Sequence, residues 1–248
     1  MTDIIIQGIY GRMGRALLEK IGARDDCRVV AGVDRDAGNV GGIPVYAGFA
    51  ELPCKGVIID FSSPAGAVAA AQYGAENGLP CVICSTGLSK EDEAVLEAAS
   101  AKVPIFRSAN MSVGVNVLIE LARQATKILG GEFDIEIVEK HHHNKLDAPS
   151  GTALMIADAV RQARPELHNH CGRSGQCRRE PDEIGISAIR MGGVVGIHEV
   201  LITTQTQTIT LKHEAYSRAL FAEGAMAAAR FLQGKEPGLY DMQSMIGK

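Results

Sequence analysis

Short apolar runs alternate with alanine- and leucine-rich helical patterns through the first hundred or so residues of the chain. The runs cover residues 4–8, 28–34, 57–60, 80–85 and 104–108. A strand, a helix and a second strand in succession form a βαβ unit, and consecutive units pair their strands in parallel. Ser89 and Asp92 add a capping-box pattern ahead of one crossover helix. The chain is therefore predicted to begin with a parallel sheet covered by helices.

The pattern changes in the second half of the chain. Apolar residues recur at helical spacing over 112–129, and residues 133–137 and 205–211 then alternate as strands with one solvated face do. Strands joined by few helices favour antiparallel pairing. We therefore expect a second, smaller α+β domain with an open sheet, a polar loop over 168–182 and a closing alanine-rich helix over 216–232.

Charge and cysteine content limit the partners and the compartment. The 248 residues carry 25 lysines and arginines against 29 aspartates and glutamates, without a basic block, which argues against a nucleic-acid partner. The first apolar run begins at Ile4 without a basic leader or a long hydrophobic stretch, so we expect neither a signal peptide nor a membrane span. Six cysteines in such a chain are expected to be reduced thiols, and the protein is expected to act in the cytoplasm.

A glycine-rich turn follows the first apolar run. It reads Gly8-Ile9-Tyr10-Gly11-Arg12-Met13-Gly14 and precedes a helical pattern over 15–21. Glycines at a strand-to-helix turn let the backbone approach a pyrophosphate, which binds the amides at the positive end of the helix. The spacing differs from the standard G-x-G-x-x-G, and an ordinary tight turn is the alternative interpretation.

An acidic residue stands about twenty positions after the last glycine of the turn. Asp34 ends the second apolar run, where a carboxylate would accept hydrogen bonds from an adenosine ribose, although a solvated aspartate at a strand end is the plainer interpretation. Arg35 follows, and its guanidinium could meet a ribose 2′-phosphate. The glycine turn and Asp34 together predict a dinucleotide site that takes NADH or NADPH.

The segment 139–152 concentrates titratable side chains between a predicted strand and a predicted helix. It reads Glu139-Lys140-His141-His142-His143-Asn144-Lys145-Leu146-Asp147-Ala148-Pro149-Ser150-Gly151-Thr152. A histidine can donate a proton near neutral pH, and a lysine supplies a compact positive charge. Ser150 is a favourable N-cap for a helix over 153–163, and the amides of Gly151 and Thr152 in its first turn would suit a carboxylate.

Two other interpretations of the three histidines stay open. Neighbouring side chains of an extended segment point to opposite faces, so only His141 and His143 could share a zinc ion. The segment could also be a solvated polar loop. The histidines and cysteines of residues 168–177 match no standard zinc spacing, and we expect no metal site in the protein.

The segment 139–152 resembles the signature E-x-H-H-x-x-K-x-D-A-P-S-G-T of the 4-hydroxy-tetrahydrodipicolinate reductases, also called dihydrodipicolinate reductases, at every specified position. The resemblance covers most of the chain, through G-x-x-G-R-M-G at 8–14, T-G at 86–87, A-N-x-S-x-G-V-N at 109–116, R-x-G-x-x-x-G-x-H at 190–198 and H-x-A-x-S-R-x-x-F-A from 213. It implies reduction of a small dicarboxylate, 4-hydroxy-tetrahydrodipicolinate, to tetrahydrodipicolinate in lysine and diaminopimelate biosynthesis, with NADH or NADPH as the cofactor.

Carried over by position, the resemblance implies roles for individual residues. His141 is the implied proton donor, and Lys145 is the implied catalytic lysine. The implied substrate contacts are His142, Gly151, Thr152 and Arg218. The implied cofactor contacts are Gly8, Ile9, Tyr10, Gly11, Arg12, Met13, Asp34, Arg35, Cys84, Ser85, Thr86, Ser108, Ala109, Asn110 and Met111.

The resemblance also implies an architecture. It implies an α/β fold with a Rossmann-type parallel-sheet domain formed by residues 1–111 and 217–248, and a smaller α+β substrate domain over 112–216. The second domain would have an open mixed sheet and would form the interface of a homotetramer. The sequence departs from the family's G-T-T-G at 84–87 and from its N-F-S at 110–112, so the packing around the nicotinamide is left open.

Two rival functions stand beside this one. Another two-domain amino-acid dehydrogenase, of homoserine or aspartate type, would share the glycine turn but would have no need of the segment 139–152. A nucleotide-sensing regulator would bind the cofactor without turning it over.

Overall fold

The computed structural model describes residues 1–247. Its strands are β1 (Thr2–Gln7), β2 (Cys27–Val33), β3 (Gly38–Val40), β4 (Ile43–Tyr46), β5 (Val57–Asp60), β6 (Cys81–Ile83), β7 (Pro104–Arg107), β8 (Asp134–His141), β9 (His168–Cys171), β10 (Glu183–Arg190), β11 (Gly196–Thr203), β12 (Thr208–Ala215) and β13 (Gly238–Tyr240). Its α-helices are α1 (Arg12–Gly22), α2 (Pro64–Asn77), α3 (Lys90–Ser100), α4 (Val113–Leu129), α5 (Gly151–Ala163), α6 (Ala219–Phe231) and α7 (Met242–Ile246). The chain divides into two compact units. The first unit contains the residues up to Val113 and those from Ala219 onward, and the second unit is Gly114–Arg218.

The first unit is built on a sheet with the strand order β13-β7-β6-β5-β1-β2-β4-β3. Neighbouring strands pair in parallel except β3 and β4, which are antiparallel at one edge. This confirms the predicted parallel sheet. The strand order reverses around β1, and the carboxyl ends of parallel strands at such a reversal flank the crevice where nucleotides bind. The sequence pattern did not predict β3, β4 and β13, because these short strands bury few side chains and leave no continuous apolar run.

Both faces of the first sheet are buried. Ile4 and Ile6 belong to the apolar cluster that includes Leu17 of α1 and Met226 of α6, whereas Ile5 belongs to the cluster formed with α2 and α3. Burial on both faces explains why β1 reads as a continuous apolar run. The predicted capping box is confirmed at the start of α3. There the Ser89 hydroxyl accepts from the Asp92 amide, and the Asp92 carboxylate accepts from the Ser89 amide.

The second unit contains a mixed sheet with the strand order β12-β11-β8-β10-β9. β11 pairs antiparallel with both β12 and β8, whereas β10 pairs in parallel with β8 and β9. The expectation of antiparallel pairing is therefore right for only half of the sheet. The loop predicted over 168–182 is wrong at its beginning, because residues 168–171 form β9. An edge strand with little buried surface needs no apolar pattern, so the polar sequence concealed it.

One face of the second sheet carries the core of the second unit. Ile137, Ile186 and Val200 pack with Leu118 of α4 and Ile156 of α5. The alternation of β8 that buries Ile137 also buries its neighbours at 139 and 141. The buried face of β8 is therefore apolar at its beginning and carries the polar residues Glu139 and His141 at its end. No helix within residues 1–247 is both long and apolar enough to cross a membrane.

Candidate active site

The glycine turn joins the carboxyl end of β1 to the amino terminus of α1. Gly8 has a φ of +79°, and a Cβ on Gly14 would lie 2.3 Å from the carbonyl oxygen of Gly8. These two positions need glycine for the turn itself. Gly11 is the N-cap of α1 and has no side chain to occupy the amides of the first turn. The turn therefore presents helix N-terminal amides that suit a pyrophosphate.

Asp34 lies next to this turn. One of its carboxylate oxygens accepts from the Tyr10 amide at 2.9 Å, and the other accepts from the Arg35 amide at 2.8 Å. Each oxygen keeps a further lone pair for a ligand hydroxyl. The structure thus brings the acidic residue and the glycine turn together, around a cleft of about 480 Å³. The lining residues are Gly8, Tyr10, Gly11, Asp34, Arg35, Phe61, Ser62 and Ser63.

A second cleft of the first unit, of about 260 Å³, gathers most of the other predicted cofactor contacts. Its lining residues are Met13, Phe61, Ser62, Cys84, Ser85, Thr86, Ala109, Met111 and Phe221. Ile9 lines neither cleft, because its side chain is fully buried against Gly32, so only its backbone can face a ligand. Ser108 and Asn110 hydrogen-bond to each other and shape the turn after β7.

Asp60 is a buried carboxylate in this region that the sequence analysis missed. It ends β5, and its oxygens accept from the Ser85 hydroxyl at 2.6 Å and from the Ser62 amide at 3.1 Å. Burial raises the pKa of this carboxyl in spite of those hydrogen bonds. Because the Ser85 hydroxyl also accepts from the Ser62 amide, it braces the loop after β6. An aspartate at the end of a wholly apolar strand was the signal available.

Glu139 is the centre of the polar cluster in the second unit. It is fully buried, and one of its oxygens lies 2.5 Å from Nδ1 of His141, while the other accepts from the Ser150 amide at 3.0 Å. Arg190 donates one hydrogen bond of 2.8 Å to each oxygen. Burial alone would raise the pKa of Glu139, but the hydrogen bonds from Arg190 and His141 hold it below its ordinary value.

His141 is a second buried titratable group of the cluster. Burial lowers its pKa, and Lys145 and Arg190 act in the same direction, whereas Glu139 opposes them. Its ring packs edge-on against His198 with 5.1 Å between the ring centroids. Burial lowers the pKa of His198 to about 4, and its Nε2 lies 3.1 Å from the Ser150 hydroxyl. His198 is therefore neutral and packs the acid candidate in place.

Lys145 and the start of α5 already hold a carboxylate of the chain itself. The Lys145 ammonium lies 2.8 Å from a carboxylate oxygen of Asp147, which also accepts from the Gly151 amide. These contacts, with the Lys145 hydrogen bond first, lower the pKa of Asp147. The predicted N-cap is confirmed, since the Ser150 hydroxyl accepts from the Ala153 amide at 3.2 Å. Two of the groups predicted to bind a carboxylate, Lys145 and the Gly151 amide, thus contact the carboxylate of Asp147.

The other predicted substrate contacts, His142, Thr152 and Arg218, also belong to the second unit. Arg218 donates to Nε2 of His142 at 3.5 Å, and Thr152 is half-buried in the first turn of α5. His143 is exposed, whereas His141 is buried. In the part of the chain that the structure describes, no group of three or more histidine, cysteine, aspartate or glutamate side chains is placed to hold a metal ion.

Comparison with known proteins identifies the family. A family model described as dihydrodipicolinate reductase, N-terminus, matches residues 2–111, and one described as dihydrodipicolinate reductase, C-terminus, matches residues 114–246. The chain belongs to the dihydrodipicolinate reductase family. The dihydrodipicolinate reductases are nicotinamide-dependent oxidoreductases, and the resemblance found in the sequence is confirmed.

Individual dihydrodipicolinate reductases match along the whole chain. A 4-hydroxy-tetrahydrodipicolinate reductase from Caldanaerobacter subterraneus subsp. tengcongensis is 46% identical over 251 residues, which cover 100% of this chain and 99% of the relative. Its counterpart from Clostridium tetani is 42% identical, with 99% and 97% covered. The solved structure of a dipicolinate-bound dihydrodipicolinate reductase from Paenisporosarcina sp. TG-14 has a TM-score of 0.84 at 23% identity and covers 99% of both chains, so it has the same fold.

Membership of the dihydrodipicolinate reductase family bears on the earlier alternatives. The predicted fold class, a Rossmann-type parallel sheet with a second mixed sheet, is confirmed. The rival dehydrogenase of homoserine or aspartate type is set aside, because both halves of the chain match dihydrodipicolinate reductase.

Proposed function

We propose that this chain reduces 4-hydroxy-tetrahydrodipicolinate to tetrahydrodipicolinate in lysine and diaminopimelate biosynthesis. NADH or NADPH supplies the hydride, one proton is taken up, and the 4-hydroxyl group leaves as water. The observation that carries the proposal is the cluster of the second unit, where the buried Glu139–His141 pair stands beside Lys145 and the amino terminus of α5. A proton donor next to anion-binding groups suits a substrate that carries carboxylates and gains a proton during reduction.

The first unit supplies the support for the cofactor. The glycine cradle, the first-turn amides of α1 and the oriented Asp34 carboxylate fit a dinucleotide's pyrophosphate and ribose. The proposed cofactor contacts are the residues that line the two clefts. The backbone of Ile9 is a further proposed contact, as are Arg12, Ser108 and Asn110. Once bound, the nicotinamide supplies the hydride. We assign cofactor binding to residues 1–111 and 217–248, and substrate binding to 112–216.

The residues of the second unit perform the remaining steps. His141 gives up a proton from Nε2, because its Nδ1 is bonded to Glu139. One substrate carboxylate binds Lys145 and the amides of Gly151 and Thr152. It replaces the Asp147 carboxylate at the Lys145 ammonium and at the Gly151 amide. His142 and Arg218 bind the second carboxylate. The positive charge of Lys145 also offsets the negative charge that develops as hydride arrives.

A coupled assay tests this proposal. The purified protein is mixed with freshly generated 4-hydroxy-tetrahydrodipicolinate and either NADH or NADPH, and oxidation of the cofactor is followed by absorbance. We expect oxidation that depends on both the substrate and the protein. Binding of NADH without oxidation would support the rival function of a nucleotide-sensing regulator.

Arg35 is predicted to govern the use of NADPH. Replacing Arg35 by Ala should raise KM for NADPH by about 10- to 100-fold and leave KM for NADH nearly unchanged, because only NADPH carries a 2′-phosphate and a charged hydrogen bond contributes about 1.5–3 kcal/mol. Steady-state kinetics with each cofactor measures this. Arg24→Ala, beyond the opposite end of α1, is the control. Equal weakening of both cofactors would contradict the role of Arg35.

We also propose a homotetramer whose interface is the face of the second sheet opposite α4 and α5. Strand alternation places Val138, Ile189, Ile197 and Leu201 on that face, and each is partly or largely exposed. Light scattering should give four times the 26.3 kDa of one chain, and Leu201→Asp should lower that mass. A wild-type mass of one chain would contradict the proposal.

Action in the cytoplasm is a further proposal, supported by six free thiols.

A further inference from the structure

We propose that Glu139 is a positioning residue of the reaction, which fixes the orientation and tautomer of His141 and ties the amino terminus of α5 to the same carboxylate. The inference rests on the proposed function, because it concerns the proton that His141 transfers. It extends that function to a residue that does not itself contact the substrate.

The hydrogen-bond partners of the Glu139 carboxylate are all groups of the protein itself. Glu139 is fully buried and meets the His141 ring, the Ser150 amide and both terminal nitrogens of Arg190. Arg190 also donates to the carbonyl oxygen of Asp147 at 2.6 Å. A buried charge is tolerated only when it is paired and hydrogen-bonded. Glu139 and Arg190 together therefore connect β8, β10, the loop that follows β8 and the N-cap of α5.

The same contact decides which nitrogen of His141 faces the reaction. The Glu139 carboxylate is ionised, so Nδ1 of His141 carries hydrogen and donates to it at 2.5 Å. Nε2 is then the nitrogen that can release a proton. A Cβ on the neighbouring Gly196 would lie 3.1 Å from this Nε2, so glycine leaves room at the donor atom.

The charges around His141 give Glu139 a second effect. Burial, Lys145 and Arg190 disfavour a protonated His141, whereas Glu139 favours it. Removing the charge of Glu139 therefore lowers the pKa of His141 further. The acid form of His141 exists below its pKa, so the limb on which activity falls with rising pH should move to lower pH. A residue that only supports packing would lower activity without moving that limb.

Glu139→Gln is the test, because it keeps the size of the side chain and removes its charge. We expect kcat to fall about 10- to 100-fold, which is less than the about 10²- to 10⁴-fold that the positioned acid itself contributes. The falling pH limb should lie at lower pH, and NADH binding should be unchanged. Glu136→Gln is the matched control. Glu136 is also on β8 and pairs with Arg179, but it lies on the opposite face of the sheet. The Glu136→Gln variant should have the wild-type kcat, and its activity should fall with rising pH over the same range as that of the wild type.

The outcomes separate the inference from the proposed function. Wild-type protein that oxidises no cofactor in the presence of substrate would overturn the proposed function. An active wild type, with a folded Glu139→Gln variant that keeps its kcat and pH limb, would overturn the inference alone. If the variant does not fold, nitrogen NMR of wild-type protein with labelled histidine decides, with His141 assigned by its loss in His141→Gln. Neutral His141 should carry its proton on Nδ1, and a proton on Nε2 would contradict the inference.

Discussion

Replacing His141 by Gln is expected to reduce kcat by about 10²- to 10⁴-fold and to change KM little, because a positioned general acid contributes on that scale to the chemical step. Glutamine can still hydrogen-bond to Glu139, but it has no proton to release near neutral pH. The hydrogen bonds that Glu139 accepts from the Ser150 amide and from Arg190 do not involve the ring. The variant should therefore fold and bind NADH as the wild type does.

Steady-state kinetics, NADH titration and circular dichroism of the purified variant measure this expectation. His143→Gln is the control, because it makes the same change two residues away at an exposed side chain. It should retain the wild-type kcat. Equal losses in both variants, reversed by added zinc, would restore the interpretation of a shared metal site. A folded His141→Gln enzyme with near-normal kcat would remove His141 from the mechanism and leave Lys145 as the only catalytic candidate in this segment.

Much of the fold could be predicted because apolar periodicity reports burial. β1 and β5 are buried on both faces and read as continuous apolar runs, and each was predicted to within two residues at its ends. β9 and β3 were missed because edge strands with few buried side chains leave no such pattern. The strand predicted over 205–211 begins only at Thr208, since the Thr204 amide donates to the carbonyl of Gln207 and closes a turn.

The candidate site could be predicted residue by residue but not as a network. Local sequence placed His141, Lys145 and Ser150 in one segment, and the N-cap role of Ser150 follows from its own chemistry. Nothing local shows that Arg190, 51 residues beyond Glu139, donates to that carboxylate. Pairing of β10 with β8 brings Arg190 close to Glu139, and the role of a buried carboxylate depends on the partners that the fold gives it.

Replacing Lys145 by Ala is expected to reduce kcat by about 10²- to 10³-fold, the usual effect of removing a group that stabilises developing negative charge. KM for the substrate should rise by about 10- to 100-fold as well, because a charged hydrogen bond to a carboxylate is also lost. The ammonium is the ion-pair partner of Asp147 at 2.8 Å, so its removal also leaves that carboxylate beside an anionic substrate. The loss should thus have two parts, one from the missing positive charge and one from the unmasked negative charge.

The double variant Lys145→Ala/Asp147→Asn separates the two parts of this loss. Neutralising Asp147 should recover some of the rise in KM and none of the fall in kcat, since only the ammonium can offset charge that appears during hydride arrival. Lys20→Ala removes a lysine from a similarly short ion pair, with Glu223 in the first unit, and should leave both constants unchanged. Full recovery of kcat in the double variant would mean that Lys145 acts only by masking Asp147, and its role in the chemical step would then be withdrawn.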